Sequence, residues 1–85
     1  MDISEGEVLD TQDVMVEGLS ARIREQRKKM GITQGELAIR IGGGIRTVND
    51  YERGTRQPSY AKLLELARQF NVTTDYLLGV KRDNP

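Results

Sequence analysis

Thr33-x-x-Glu36, two residues after Gly31, obliges this chain to end one helix and begin another within a single turn of backbone. The Thr33 hydroxyl can accept from the backbone N–H three residues on, while the Glu36 carboxylate reaches back to the N–H of Thr33, so two orphan donors are satisfied reciprocally. Gly31 supplies the left-handed residue that closes the preceding helix. A further stop follows at Gly42-Gly43-Gly44, and an exit loop, Arg53-Gly54-Thr55-Arg56-Gln57-Pro58-Ser59, comes soon after. A chain punctuated this closely reads as a set of short helices, and no segment alternates well enough to read as a strand.

The periodicity predicts a first helix from about Leu19 to Met30, with Leu19, Ile23, Gln26, Arg27 and Met30 on one face and Lys28 and Lys29 complementing the dipole in the last turn. The second helix starts at the Thr33 cap, buries Leu37, Ala38 and Ile41, and stops at Gly42. The third spans roughly Ile45 to Glu52 with Val48 and Tyr51 inward. Its N-cap position is Gly44, which forgoes a few tenths of a kcal/mol, roughly, against a hydroxyl cap. A fourth is capped by Ser59, carries the apolar stripe Leu63, Leu64, Leu66, Ala67 and Phe70, and ends at Asn71. A fifth runs from about Thr74 to Leu78, capped by Thr73. The fold class expected is all-α.

Eighty-five residues make one small domain. With no cysteine and no histidine, the chain lacks disulfides, thiolate metal sites and the commonest general base. No nucleophile–base pair or metal cluster is visible, so neither an enzyme nor a cofactor is expected. No apolar run approaches the roughly 20 residues of a membrane span, and the acidic N-terminus is unlike a signal peptide. A cytoplasmic protein without membrane contact is expected.

The net charge of zero conceals a segregation. Residues 1–17 hold six acids and no base, whereas residues 18–85 hold all 13 bases and the other seven acids, a net of +6. The expected organisation is an acidic arm over 1–17, either mobile or a short helix, a basic domain over 18–80, and a frayed tail over 81–85. Ser4-x-x-Glu7 and the seven-residue spacing of Leu9, Val16, Ile23 and Met30 favour the short helix, while Gly6 and Gly18 oppose one rigid rod. Two short helices joined by a tight turn, within a basic domain, is the arrangement that places a helix in the DNA major groove.

The ordered pieces Arg22-Ile23-Arg24-x-x-Arg27, Gly31-Ile32-Thr33-Gln34-x-Glu36-Leu37-Ala38, Thr47-Val48-x-x-Tyr51-Glu52-x-Gly54, Pro58-Ser59 and Val72-x-x-Asp75-Tyr76-Leu77-Leu78 carry a family resemblance. From Leu19 to Gly79 the chain resembles the Cro and phage-repressor helix-turn-helix domains, the Xre family. The resemblance implies a five-helix, lambda-repressor-like DNA-binding domain whose second and third helices form the DNA-reading pair. The chain departs from the pattern at Gly43-Gly44-Ile45, where relatives more often carry a small or β-branched residue, then Ser or Thr, then a polar residue. Here the cap side chain is missing and the first reading position is apolar. A phosphate-cradling glycine loop fits poorly, since no strand precedes it and no Lys-Ser/Thr partner follows.

Carried over by resemblance, the base-reading candidates are Ile45, Arg46, Asn49 and Asp50, which helical spacing places opposite Val48 and Tyr51. Arg46 can donate twice to guanine, Asn49 can pair with adenine, Ile45 can touch a thymine methyl, and Asp50 can accept from cytosine or repel phosphate. The phosphate-contact candidates are Gln34 at the start of the second helix, Arg53 and Arg56 around the exit loop, Arg40 near the turn, and Thr33 and Thr47. Thr33 can equally serve only as a cap, and Thr47 can equally fill space. The remaining cations, among them Arg22 and Arg24, read mostly as surface charge. Arg27 and Glu52 stand on otherwise apolar faces, and the resemblance implies an ion pair bracing the first helix against the third.

The function expected is that of a sequence-specific transcriptional regulator, a repressor acting as a homodimer on a two-fold site in double-stranded DNA. Tyr76, Leu77, Leu78 and Val80 are the apolar patch available for pairing, or else they complete the monomer core. The alternative is an antitoxin or anti-regulator whose acidic arm binds a protein partner.

Overall fold

The computed structural model describes residues 16–80. The tail over 81–85 and all of the acidic arm before Val16, with its Ser4 capping box and Leu9, lie outside the described residues. Five helices follow in order: α1 Leu19–Met30, α2 Gln34–Arg40, α3 Ile45–Arg53, α4 Tyr60–Phe70 and α5 Thr74–Leu78. No strand occurs among the described residues.

The helix boundaries follow from local chemistry. At α2 the Thr33 hydroxyl accepts from Glu36 N–H at 3.0 Å, and the Thr33 N–H donates to Glu36 Oε1 at 2.8 Å, completing the capping box. Ser59 and Thr73 cap α4 and α5 by accepting from Lys62 N–H and Tyr76 N–H. Gly31 ends α1 and Asn71 ends α4, both left-handed, at φ 72° and 58°.

Helix α3 begins without a side-chain cap, at Gly44 in extended backbone with φ −100° and ψ 160°. A Cβ built at Gly44 meets nothing within 4 Å. Gly44→Ser therefore raises unfolding stability by about 0.5–1 kcal/mol, through a hydroxyl cap and a less free unfolded chain. The shift of the chemical denaturation midpoint measures it, and an unchanged midpoint contradicts it.

Each helix turns one apolar face toward a single core of Leu19, Ile23, Leu37, Ala38, Ile41, Val48, Tyr51, Leu63, Leu66, Ala67, Phe70 and Leu77. Helix α3 packs on α2 and α1, and α5 packs on α1 and α4. Val16, expected in the arm, is half-buried against this core. Leu64 departs from the predicted stripe and is 49% exposed, because the buried face of α4 is completed by Leu63, Leu66, Ala67 and Phe70. Leu77 departs from the proposed pairing patch, being fully buried in the monomer.

Two basic residues hold elements together through backbone carbonyls. Arg22 donates from Nε to Leu77 O and from Nη2 to Glu17 O, each at 2.8 Å, which ties the entry to α1 to the end of α5. Its guanidinium lies so close under Gly79, at φ 79°, that an added Cβ would fall 2.7 Å from Nη2. Lys62 on α4 donates to Ile41 O at 2.6 Å and to Gly42 O at 3.1 Å, which places its charge at the negative end of α2.

Burial raises the Tyr51 phenol pKa above its ordinary value, with the nearby Arg56 charge opposing that shift. A raised folded-state value means that the stabilisation is fully present below the unfolded pKa of about 10 and is lost as pH rises through the folded one. Tyr51→Phe therefore flattens the alkaline fall in stability, read as a narrowing difference in melting temperature above about pH 10. Parallel curves for the two proteins would contradict this.

Candidate functional site

The third helix is placed so that one side is core and the other is open. Val48 and Tyr51 point inward, while Gln34 from α2 and Ile45, Arg46, Asn49, Asp50 and Arg53 from α3 line one open groove between the two helices. All four base-reading candidates thus stand along one edge, joined by Gln34 and Arg53. Ile45 and Arg46 are exposed, and Asn49 and Asp50 are half-buried. Among the described residues neither Arg46 nor Arg53 takes part in an ion pair, so their charge faces outward uncompensated.

A chain of polar contacts ties this edge to the interior. Arg27 grips Glu52 with two parallel bonds, Nε to Oε2 at 2.6 Å and Nη2 to Oε1 at 3.0 Å, and donates a third to Ile32 O at 2.9 Å. The Glu52 side chain is 1% exposed and that of Arg27 14%. The bond to Glu52 raises the Arg27 pKa further, against burial, which lowers it. Gln34 Nε2 donates to Glu52 Oε1 at 3.1 Å, and Gln34 Oε1 accepts from Asn49 Nδ2 at 3.3 Å. Glu52 can only accept, so it orients the Gln34 amide with its oxygen toward Asn49. One hydrogen and the carbonyl oxygen of the Asn49 amide are left over, which is the donor–acceptor set that adenine requires.

Helix α3 is flanked on its other side by a second groove, lined by Gly43, Thr47, Tyr51, Arg56, Gln57, Ser59 and Lys62. Thr47 and Arg56 therefore belong with the exit loop rather than with the first groove. Thr33 is engaged as the cap of α2. Arg40 is exposed in the last turn of α2 and lines neither groove.

Sequence reasoning missed four contributors. The sequence marks Gln34 only as a phosphate contact, yet it links Glu52 to Asn49. Arg24, read as surface charge, has its Nε 3.8 Å from the Glu52 oxygen that Gln34 uses. Arg22 and Lys62 spend their charges on carbonyls far away in sequence, and nothing local signals that.

A family profile described as helix-turn-helix matches residues 23–77, which begin within α1 and end within α5. The chain is 44% identical over 61 residues to an HTH-type transcriptional regulator, ImmR of Bacillus subtilis, covering 72% of this chain and 48% of that protein. It is 33% identical over 60 residues to repressor protein C2 of Salmonella phage P22, covering 71% of this chain and 28% of that one. The chain thus spans about half the length, or less, of these curated relatives. Its fold is also similar to that of the P22 c2 repressor in complex with a synthetic operator, with a TM-score of 0.71 and 32% identity over 74% of this chain and 96% of that one.

Proposed function

Since this chain belongs to the helix-turn-helix family of the Cro and phage-repressor kind, we propose that it is a sequence-specific DNA-binding transcriptional regulator, acting as a repressor by occupying an operator. The observation that carries the proposal is the α3 edge: an exposed Arg46 and an amide-oriented Asn49 on a helix with an open groove on either side. A major groove about 12 Å wide admits one such helix. In that pose Arg46, Asn49, Asp50 and Ile45 meet base edges. Gln34, Arg53 and Arg56, with Thr47 on the far side, meet the phosphates that flank the groove. Arg40 is the weakest phosphate candidate, as it lies apart from both grooves.

The supporting relatives are transcriptional regulators and a repressor rather than enzymes. No described helix is long and apolar enough to cross a membrane, and we place the protein in the cytoplasm beside its DNA. Pairing on a two-fold operator, with half-sites about one helical turn apart, would use the surface around Tyr76 and Val80, which α5 and its end leave exposed. Leu77 takes no part in it.

Binding to a pool of random duplexes, followed by fluorescence anisotropy over a range of salt, tests the reading. Affinity is expected to fall linearly in log–log form, with a slope of roughly −0.9 per phosphate neutralised. Absence of salt-sensitive binding would overturn it. Sedimentation of the complex with a selected duplex reads the stoichiometry, two chains per operator being the expected result.

A further inference from the structure

The acidic N-terminal segment enters the fold beside the exit loop. Val16 N–H donates to Gln57 Oε1 at 2.7 Å, and Val16 lines a small pocket with Leu19, Tyr51, Gly54, Arg56 and Gln57. Whatever precedes Val16 therefore arrives next to Arg56, at the rim of the groove that also holds Thr47, Ser59 and Lys62. Residues 1–15 carry Asp2, Glu5, Glu7, Asp10 and Asp13 and no base. Among the described residues Arg56 takes part in no ion pair.

Reach is not limiting. Asp13, three residues before Val16, lies within about 10 Å of it along the chain, and fifteen extended residues span roughly 50 Å. The nine-residue α3 is only about 14 Å long. The segment can cover the second groove and cross α3 as well.

We propose that residues 1–15 dock on the Arg56 groove of their own chain and act there as an internal competitor for phosphate. The docking stands on the charge pattern and the Val16 anchor, and its consequence for DNA rests on the function proposed above. Carboxylates near Arg56 lower affinity for DNA in general. They do so with little effect on base discrimination, because the Arg46–Asn49 edge lies on the other side of α3. A cognate site, which gains base contacts as well, displaces the segment more readily than random sequence does. The segment weakens binding to both by the same factor, so the ratio of specific to nonspecific affinity is unchanged, while occupancy of random sequence at a given concentration falls.

The test uses the full chain with Asp2→Asn, Glu5→Gln, Glu7→Gln, Asp10→Asn and Asp13→Asn combined, against the natural chain. Without DNA, the side-chain Nε–H signal of Arg56 is followed by NMR at low salt. It is expected to differ between the two chains and to converge as salt rises, and identical signals overturn the docking. With random duplex, the neutralised chain is expected to bind about five- to tenfold more tightly at low salt, with a salt slope steeper by about one contact. Tighter binding with an unchanged Arg56 signal also overturns the docking, since long-range repulsion alone would then explain it. A changed Arg56 signal in chains that bind no duplex upholds the docking and removes the DNA-binding reading instead.

Discussion

Replacing Glu52 by alanine is expected to lower the unfolding free energy by about 3–5 kcal/mol, the largest single effect from any polar residue among those described. Glu52 is almost wholly buried, and its two oxygens accept both Arg27 bonds and the Gln34 bond. Without it the Arg27 guanidinium, 14% exposed, keeps Ile32 O as its one hydrogen-bond partner among the described residues. An uncompensated buried charge costs far more than the net worth of the pair it came from. For a domain this small the melting temperature should fall by at least about 12 °C. The double variant Arg27→Met with Glu52→Leu should recover much of that loss, because replacing both partners removes the stranded charge. Thermal and denaturant unfolding of the three proteins measure both effects. A single-variant loss under about 1 kcal/mol would mean that the pair behaves as a solvated surface bridge.

Arg46→Ala is expected to leave folding nearly untouched and to damage recognition. The side chain is exposed and makes no ion pair among the described residues, so its removal should change stability by no more than about 0.5 kcal/mol. Loss of a bidentate contact to a base costs roughly 1–3 kcal/mol of discrimination and relaxes preference at one position of the site. Arg56→Ala, by contrast, should weaken all sequences alike and reduce the salt slope by roughly one contact. Competition binding with single-base variants of a selected duplex separates the two patterns. If Arg46→Ala weakened every sequence equally, Arg46 would be a phosphate contact and the base-reading edge would have to be drawn elsewhere.

Helix starts and stops were legible because their chemistry is local. Thr33, Ser59 and Thr73 each cap the helix that follows, as their spacing implied, and Gly31 and Asn71 end helices in the left-handed conformation. The grouping of Ile45, Arg46, Asn49 and Asp50 came from the family resemblance, and helical period agrees with it by placing the four along one edge of α3. What eluded the sequence depends on contacts between distant residues. Arg22 and Leu77 are 55 positions apart, Lys62 and Ile41 are 21 apart, and no short pattern marks either pair. Leu77 and Leu64 show the same limit on apolar residues. Periodicity identifies a face, but only packing decides whether its partner is the monomer core, a second chain or water. The orientation of Gln34 by Glu52 and its contact with Asn49 join three residues from two helices, so they emerged only with the fold.

The central claim is that DNA meets the α3 edge and the two grooves that flank it. Amide and side-chain NMR of the full chain, titrated with a duplex enriched from a random pool, tests this most directly. The largest shifts are expected at Gln34, Arg46, Asn49, Asp50 and Arg53, with a second group at Thr47 and Arg56, and little change at exposed Leu64 on α4. Shifts concentrated on α4 and α5, with the Arg46–Asn49 edge unmoved, would contradict the account.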